Sequence, residues 1–324
     1  MAARKKFSCA IVGLGFWGKI LLSKIQKSPD FELMAVASRS QALVDIGSAR
    51  LFRRGEELLA KCDVDIVFIL GSLDQHMKIA RLALQKSCDI FLTKPITPTL
   101  KDALMLKSLA LKKRAQIFVD HTFLFNPDFL KFKNLASNEK IKSIASHRVQ
   151  FGRFQKGSDV LGELLYHDIY MSLALMNSKP LNVRSIGSKT HDDSLDQCSL
   201  QMNFKSQATV ELFGSMNFIQ KQKIMSVMTA NKILAWQDMA PSVFTESKYK
   251  FGYGQESRLG PVKIQKSFGP AKGKDALERM LEHVAGCKRT GKKSRLIGID
   301  QGIEIMRIIE AARKSVRSGR QVSL

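Results

Sequence analysis

The chain has 324 residues, 44% of them hydrophobic, which is long and apolar enough for two domains with separate cores and excludes a disordered chain. Its five cysteines, Cys9, Cys62, Cys88, Cys198 and Cys287, form no C-x-x-C pair and have no histidine at ligand spacing; neither a disulfide framework nor a metal site is expected, and a reducing, cytoplasmic setting fits. The formal charge of +23 admits nucleic acid, an anionic membrane face or an anionic substrate, but the basic residues are dispersed in short groups such as Arg53-Arg54, Lys112-Lys113-Arg114 and Lys292-Lys293, which reads as a solvated basic surface without a nucleic-acid partner.

Near the amino end, Arg4-Lys5-Lys6 precedes an apolar stretch, but Lys19 interrupts it, so it is not read as a leader peptide. No run reaches the ~18 apolar residues of a membrane span, so a soluble protein is expected. The stretch Ala10-Ile11-Val12-Gly13-Leu14-Gly15-Phe16-Trp17-Gly18 predicts strand, tight turn and helix. At G-x-G-x-x-G spacing the first glycine permits the turn, the second lets backbone approach a pyrophosphate, and the third lets helix and strand pack closely. The helix amino end adds N–H groups and a positive partial charge. Leu33 to Ala37 supplies the second strand of a βαβ unit, which makes the turn a dinucleotide site.

Helix is then expected from Gln41 to Ala60, with a short strand near Leu51-Phe52. Val64 to Leu70 reads as a buried parallel strand, Asp74 to Lys86 as a helix, and Asp89 to Leu92 as a strand. A helix capped by Thr97 runs from Pro98 to about Lys113, and Gln116 to Val119 is a further strand. The alternation predicts a doubly wound parallel sheet, a Rossmann domain over residues 1–125. From residue 126 the pattern changes to α+β. A helix from Asp128 to Ala136 precedes a strand at about Lys142 to Phe154, a helix at about Leu161 to Met176, and alternating strands from Val183 to Gln237 that predict an antiparallel sheet. Residues 237–272, rich in Gly, Ser and Lys, read as long loops. Two amphipathic helices, Asp275 to Lys288 and Ile299 to Ser318, close the chain, the second stopped at Gly319; the last helix is expected to return to the first domain.

Three further places carry chemistry. Strand two ends in Ser38-Arg39 rather than in a carboxylate, and a hydroxyl with a guanidinium suits a 2′-phosphate, so NADP(H) is expected rather than NAD(H). Thr93-Lys94-Pro95 puts a lysine at the carboxyl end of a parallel strand, where open α/β sheets bind ligands; Pro95 fixes the backbone there, and a cis bond would aim the lysine. Glu163 and His167, four apart on a helix, share a face. A histidine exchanges a hydroxyl proton near neutral pH while hydride moves to or from a nicotinamide, and a lysine stabilises the developing charge on oxygen.

Together these motifs resemble the Gfo/Idh/MocA family, named for glucose–fructose oxidoreductase, inositol dehydrogenase and a rhizopine catabolism protein. The resemblance runs from the glycine turn through Leu70-Gly71-Ser72 to His76 (the family's T-P-x-x-x-H loop), Lys94-Pro95 (its E-K-P), Phe125-Asn126-Pro127 at the domain junction, and Glu163 to His167 (its D-x-x-x-H). Arg289-Thr290-Gly291-Lys292 and Ser318-Gly319-Arg320 are similar to its closing phrases.

The resemblance implies a Rossmann domain and an α+β domain at residues 126–324 with an open-faced, mainly antiparallel sheet that binds substrate and makes a homodimer or homotetramer. It implies Lys94, His167 and Glu163 as catalytic residues. The cofactor would contact Gly13, Gly15, Phe16, Trp17, Gly18, Ser38, Arg39, Leu70, Gly71, Ser72, His76 and Lys94. The implied substrate is a small carbohydrate-like molecule such as a sugar, polyol or sugar nucleotide, an anionic one included, and residues 121–127 are similar to members from sugar-nucleotide and surface-polysaccharide pathways. Thr93 and Glu163 depart from the family's glutamate and aspartate. A cofactor-binding sensor or interaction protein with weakened catalysis is therefore the alternative reading.

Overall fold

The structure, a computed structural model, describes all residues except 1–4, 40–43, 72, 153–158, 191–192, 253–257 and 268–272. The chain divides into two compact units: Met1–Thr122 with Ala276–Met306, and Phe123–Asp275 with Arg307–Leu324.

The first unit is built on β1 (Phe7–Val12), α1 (Phe16–Lys27), β2 (Phe31–Ala37), β3 (Arg50–Phe52), α2 (Gly55–Lys61), β4 (Ile66–Ile69), α3 (Leu73–Gln85), β5 (Asp89–Leu92), α4 (Leu100–Lys113) and β6 (Ile117–Val119). Its parallel sheet runs β3-β2-β1-β4-β5-β6, so the order reverses beside β1, where an open sheet of this kind leaves its ligand crevice. All four residues of β4 are buried, as a strand covered on both faces requires. Phe31, Phe68 and Phe91 form a ring ladder at 5.6 and 5.4 Å between neighbours. The other face packs Val12, Val67, Ile69 and Leu92 with Ile79, Ala83, Leu106, Ile303 and Met306. α7 (Ala276–Thr290) belongs to this unit.

The second unit starts with a 3-10 turn at Thr122–Phe125, of which Thr122 belongs to the first. α5 (Pro127–Ser137) follows, with Asn126 Oδ1 accepting from the Asp128 and Phe129 N–H groups and Pro127 at the first helical position. Then come β7 (Ser143–Phe151), a π-helical turn (Leu161–Leu165), α6 (Tyr166–Met176), β8 (Pro180–Ser188), β9 (Gln197–Phe204), β10 (Thr209–Ser215), β11 (Asn217–Met228), β12 (Lys232–Gln237), β13 (Ser242–Lys250), β14 (Arg258–Leu259) and β15 (Lys263–Ser267). α8 (Ile299–Ser318) lies in both units, and β16 (Val322–Ser323) ends the chain. Among the described residues the sheet runs β14-β13-β12-β11-β7-β10-β9-β8-β16, with β15 on β13. Trp236 anchors its core, with ring contacts to Phe129, Phe132 and Phe244 and its Nε1 donating to Ser242 Oγ at 2.9 Å.

Three expectations need correction. The helix expected from Gln41 to Ala60 is helical only from Gly55: Asp45 accepts from the Gly47 N–H at 2.8 Å and Gly47 has φ +61, an Asx turn that stops a helix, while 40–43 lie outside the described residues. Thr99, not Thr97, caps α4, accepting from the Asp102 N–H at 3.2 Å. Residues 237–272 contain β13, β14 and β15 rather than loops alone, because Ser, Thr and Lys alternate there with Phe244 and Ile264 in strands near a sheet edge, which tolerate polar side chains. The second sheet is mainly antiparallel, as expected: among the described pairings only that of β10 with β7 is parallel.

His121, directly after β6, is fully buried, and burial pushes its imidazole down to about 3; burial also lowers His76 and His283. Unfolded histidines titrate near 6.5, so below that pH the unfolded chain binds protons that the folded chain refuses, and stability falls as pH drops. Lowering the pH from 7 to 5 is expected to cost about 2 kcal/mol through His121 alone. Urea midpoints at the two pH values check this: His121→Gln must flatten the pH slope, and parallel slopes would refute it.

Candidate functional site

In the first unit the site begins where β1 turns into α1. Gly13 has φ +106, a conformation L side chains rarely adopt, and a Cβ there would lie 2.7 Å from Gly71 N. A Cβ on Gly18 would overlap the Gly13 carbonyl oxygen. Both positions therefore need glycine for packing. Gly15 differs: a Cβ there would meet nothing within 4 Å. It is the N-cap of α1, with extended φ and ψ and no side-chain capping bond, so the backbone at the helix start faces open space of the kind a diphosphate occupies. Phe16 and Trp17 are exposed, their rings edge to face at 5.8 Å. The residues fit a dinucleotide.

Ser38 and Arg39 follow β2, the first half-buried with its N–H donating to Phe52 O at 2.9 Å, the second exposed. Leu70 N donates to Val12 O at 2.8 Å, which ties the loop after β4 to the end of β1 and brings Gly71 against Gly13. Ser72 lies outside the described residues. His76, 2% exposed on α3, pairs through Nε2 with Thr93 Oγ1 at 3.2 Å. The threonine that departs from the family's glutamate thus joins α3 to the segment after β5. Lys94 is half-buried, and the Lys94–Pro95 bond is cis. Its charge reaches Asp120: burial raises that carboxyl, while the Thr122 hydroxyl and N–H and the Lys94 ammonium oppose the rise.

In the second unit, Glu163 lies on the π-helical turn and His167 on the first turn of α6, both partly exposed. Asp159 fixes the start of this segment. Its Oδ1 accepts from the Gly162 N–H at 2.8 Å, its backbone O accepts from Glu163 N at 2.9 Å, and Arg313 of α8 donates to both carboxylate oxygens at 2.7 and 3.0 Å. Gly157 and Ser158 lie outside the described residues. Gly214 of β10 lets the turn sit close to the sheet, since a Cβ there would fall 2.8 Å from Leu165 Cγ.

Around His167 the structure gathers residues that the motifs did not single out. The imidazole meets Phe123 edge-on at 5.3 Å, and its Nδ1 lies 3.2 Å from Tyr170 Oη. The neighbouring Asp168, 1% exposed, is held by Arg148 through two nitrogens and by Ser146 Oγ at 2.8 Å. Burial works against the Arg148 charge, but Asp168 more than offsets it and the guanidinium stays above its ordinary range. Arg148 and Lys223 both stand over the Phe123 ring, at 5.1 and 5.6 Å, and Lys223 pairs with Asp238 at 3.2 Å. Burial, with the nearby Arg148 charge, lowers Lys223 although Asp238 opposes it. Two sequence signals pointed here: Tyr170 is three residues beyond His167 on one helix, and Arg148 falls on the buried alternation of β7.

A switch-point parallel sheet with a glycine cradle, joined in one chain to a mixed sheet carrying a helix-borne histidine, defines a dinucleotide-binding protein of the Rossmann class. The chain belongs to the Gfo/Idh/MocA oxidoreductase family: the family's NAD-binding Rossmann fold matches residues 7–121, and its C-terminal alpha/beta domain matches residues 139–324. UDP-N-acetylglucosamine 3-dehydrogenase of Acidithiobacillus ferrooxidans is 23% identical over 194 residues, which span 60% of this chain and 59% of that enzyme. Two solved structures share the fold over almost the whole length at 17% identity. They are aldose-aldose oxidoreductase of Caulobacter crescentus, with TM-score 0.83 covering 99% of this chain and 100% of that one, and a myo-inositol dehydrogenase of Corynebacterium glutamicum, with TM-score 0.80 covering 99% of each. Among the described residues no helix is long and apolar enough to cross a membrane, and no group of three His, Cys, Asp or Glu side chains could hold a metal ion.

Proposed function

We propose that the chain is an NADP-dependent oxidoreductase that moves a hydride between nicotinamide and a carbinol or ketone carbon of a sugar, polyol or sugar nucleotide. The observation that carries this reading is His167, half-buried on the first turn of α6 with Nδ1 engaged by Tyr170, in a chain that also builds the Gly13–Gly18 cradle. The sugar and polyol substrates named for the dehydrogenase, aldose and inositol relatives support the substrate class.

Gly13, Gly15, Phe16, Trp17 and Gly18, with Leu70, Gly71, Ser72, His76 and Lys94, would hold the dinucleotide, whose nicotinamide supplies the hydride acceptor or donor. His167 takes the proton of the substrate hydroxyl in oxidation and returns it in reduction, a role that typically contributes 10²–10⁴-fold. The Lys94 ammonium stabilises negative charge on the same oxygen, and Glu163 stands in the place of the family's aspartate. Ser38 and the exposed Arg39 suit a 2′-phosphate, and neither position carries the carboxylate that would repel one. Domains of 1–125 and 126–324 and a cytoplasmic setting belong to the same reading.

The open face of the second sheet fits a second copy of the chain. A shallow cavity of about 560 Å³ there is lined by residues that include His147, Ile186 and Phe213; Ile186 is 70% exposed, and Phe218, against the Phe213 ring, is exposed as well. Apolar side chains clustered on one face mark an interface.

Lys94→Ala and His167→Asn are each expected to cut turnover at least a hundredfold while NADPH binding survives, read with a panel of sugars and sugar nucleotides; full activity in both variants would sink the assignment, and cofactor binding without turnover in the wild type would favour the sensor. Arg39→Ala should weaken NADPH roughly tenfold or more, the worth of a charge-assisted hydrogen bond, and leave NADH nearly unchanged in fluorescence titrations; tighter NADH than NADPH in the wild type rules out the cofactor preference. Light scattering should give a dimer or tetramer that Ile186→Lys shifts toward monomer.

A further inference from the structure

Tyr170 is 3% exposed and sits one turn beyond His167 on α6, so the two side chains share a helix face. Its Oη accepts the Phe123 N–H at 3.3 Å and lies 3.2 Å from His167 Nδ1. The imidazole is bracketed by rings, Phe123 at 5.3 Å and 63°, Tyr170 itself at 5.7 Å and 83°. One loop residue, Phe123, thereby supplies both a ring against the histidine and the N–H that fixes the phenol.

We propose that Tyr170 is a positioning residue that holds His167 as the Nδ1–H tautomer, its phenol oxygen accepting from Nδ1–H, so that proton exchange with the substrate oxygen takes place at Nε2. The proposal rests on the reading of His167 as the proton-exchanging group. A phenol oxygen has two acceptor positions and one donor; the Phe123 N–H takes one acceptor position and His167 Nδ1–H takes the other. Were the phenol to donate to Nδ1 instead, the proton of the neutral ring would sit on Nε2, and the histidine could not receive a substrate proton there. With Nδ1–H already bound to Tyr170, the O–H bond of the substrate breaks and an N–H bond forms at Nε2; the pair left on oxygen closes the C=O bond as the C–H bond breaks, and a bound dinucleotide would accept the hydride with its two electrons. The imidazolium that results keeps the same Nδ1–H to Tyr170 bond. No hydroxyl has to turn over as the proton arrives, which is how a preorganised site avoids a reorganisation cost. The arrangement does for His167 what a carboxylate does in a catalytic triad, fixing ring and tautomer, but without an added charge.

Long-range 1H–15N spectra of the 15N-histidine-labelled full-length protein, at a pH above the imidazole titration, read this directly. The chain has six histidines, and His167→Asn identifies the relevant signals. The wild type should show a protonated Nδ1 and an unprotonated Nε2 at His167, and Tyr170→Phe should move the balance toward Nε2–H while the circular-dichroism melt stays cooperative. A predominantly Nε2–H wild type, or a tautomer balance unchanged in the variant, overturns the proposal, and the wild-type spectrum decides even if the variant does not fold. Failure of the underlying reading would appear elsewhere, as undiminished turnover in His167→Asn.

Discussion

The buried pairing of Arg148 with Asp168 is the interaction on which the surroundings of His167 in the second unit depend. Removing two charges from water is costly, and a pair of this kind persists only with good geometry and its remaining hydrogen-bonding capacity filled. Here the guanidinium meets the carboxylate through two nitrogens, Ser146 adds a third bond, and the arginine lies over Phe123. Asp168 is the residue after His167, so the ion pair that ties α6 to β7 also fixes where the histidine emerges. Losing one partner would strand a buried charge at a typical cost of about 3–5 kcal/mol, a penalty that ties the folding of this helix to the placement of His167.

Steric exclusion does the corresponding work in the first unit. Gly13 and Gly18 are defined by what they cannot carry, because a single added carbon would strike Gly71 or the Gly13 carbonyl. Gly15 is defined by the open space beside it. The three glycines of one motif thus answer to two different constraints, internal packing and external access.

Much of this was legible in the sequence for physical reasons. Strands buried on both faces read as continuous apolar runs, as at Ile66–Ile69, and the glycine spacing has few alternatives once a second strand follows. The edge strands near residues 242–267 were not legible, because a strand with one face in water borrows the composition of a loop. The Asp45–Gly47 turn was hidden by neighbours with helical propensity. At the site, Lys94, Glu163 and His167 stood out by motif, whereas Tyr170, Arg148 and Phe123 acquire meaning only through contacts between elements distant in sequence. Thr93 reads in the sequence only as a missing glutamate; its hydrogen bond to His76 is invisible until α3 and β5 lie side by side.

The parallel pairing of β7 with β10 also has a kinetic side. These strands are neighbours in the sheet, yet the π-helical turn, α6, β8 and β9 all lie between them in sequence. Closing such a loop costs chain entropy before the ladder returns any enthalpy, so a contact of this separation forms late and slowly. The helix bearing His167 is enclosed within that loop, and Gly214, over which its preceding turn packs, is on the strand that closes it. Assembly of the segment that carries His167 is therefore bound to the slow event of sheet closure, which delays its completion until the central ladder has formed.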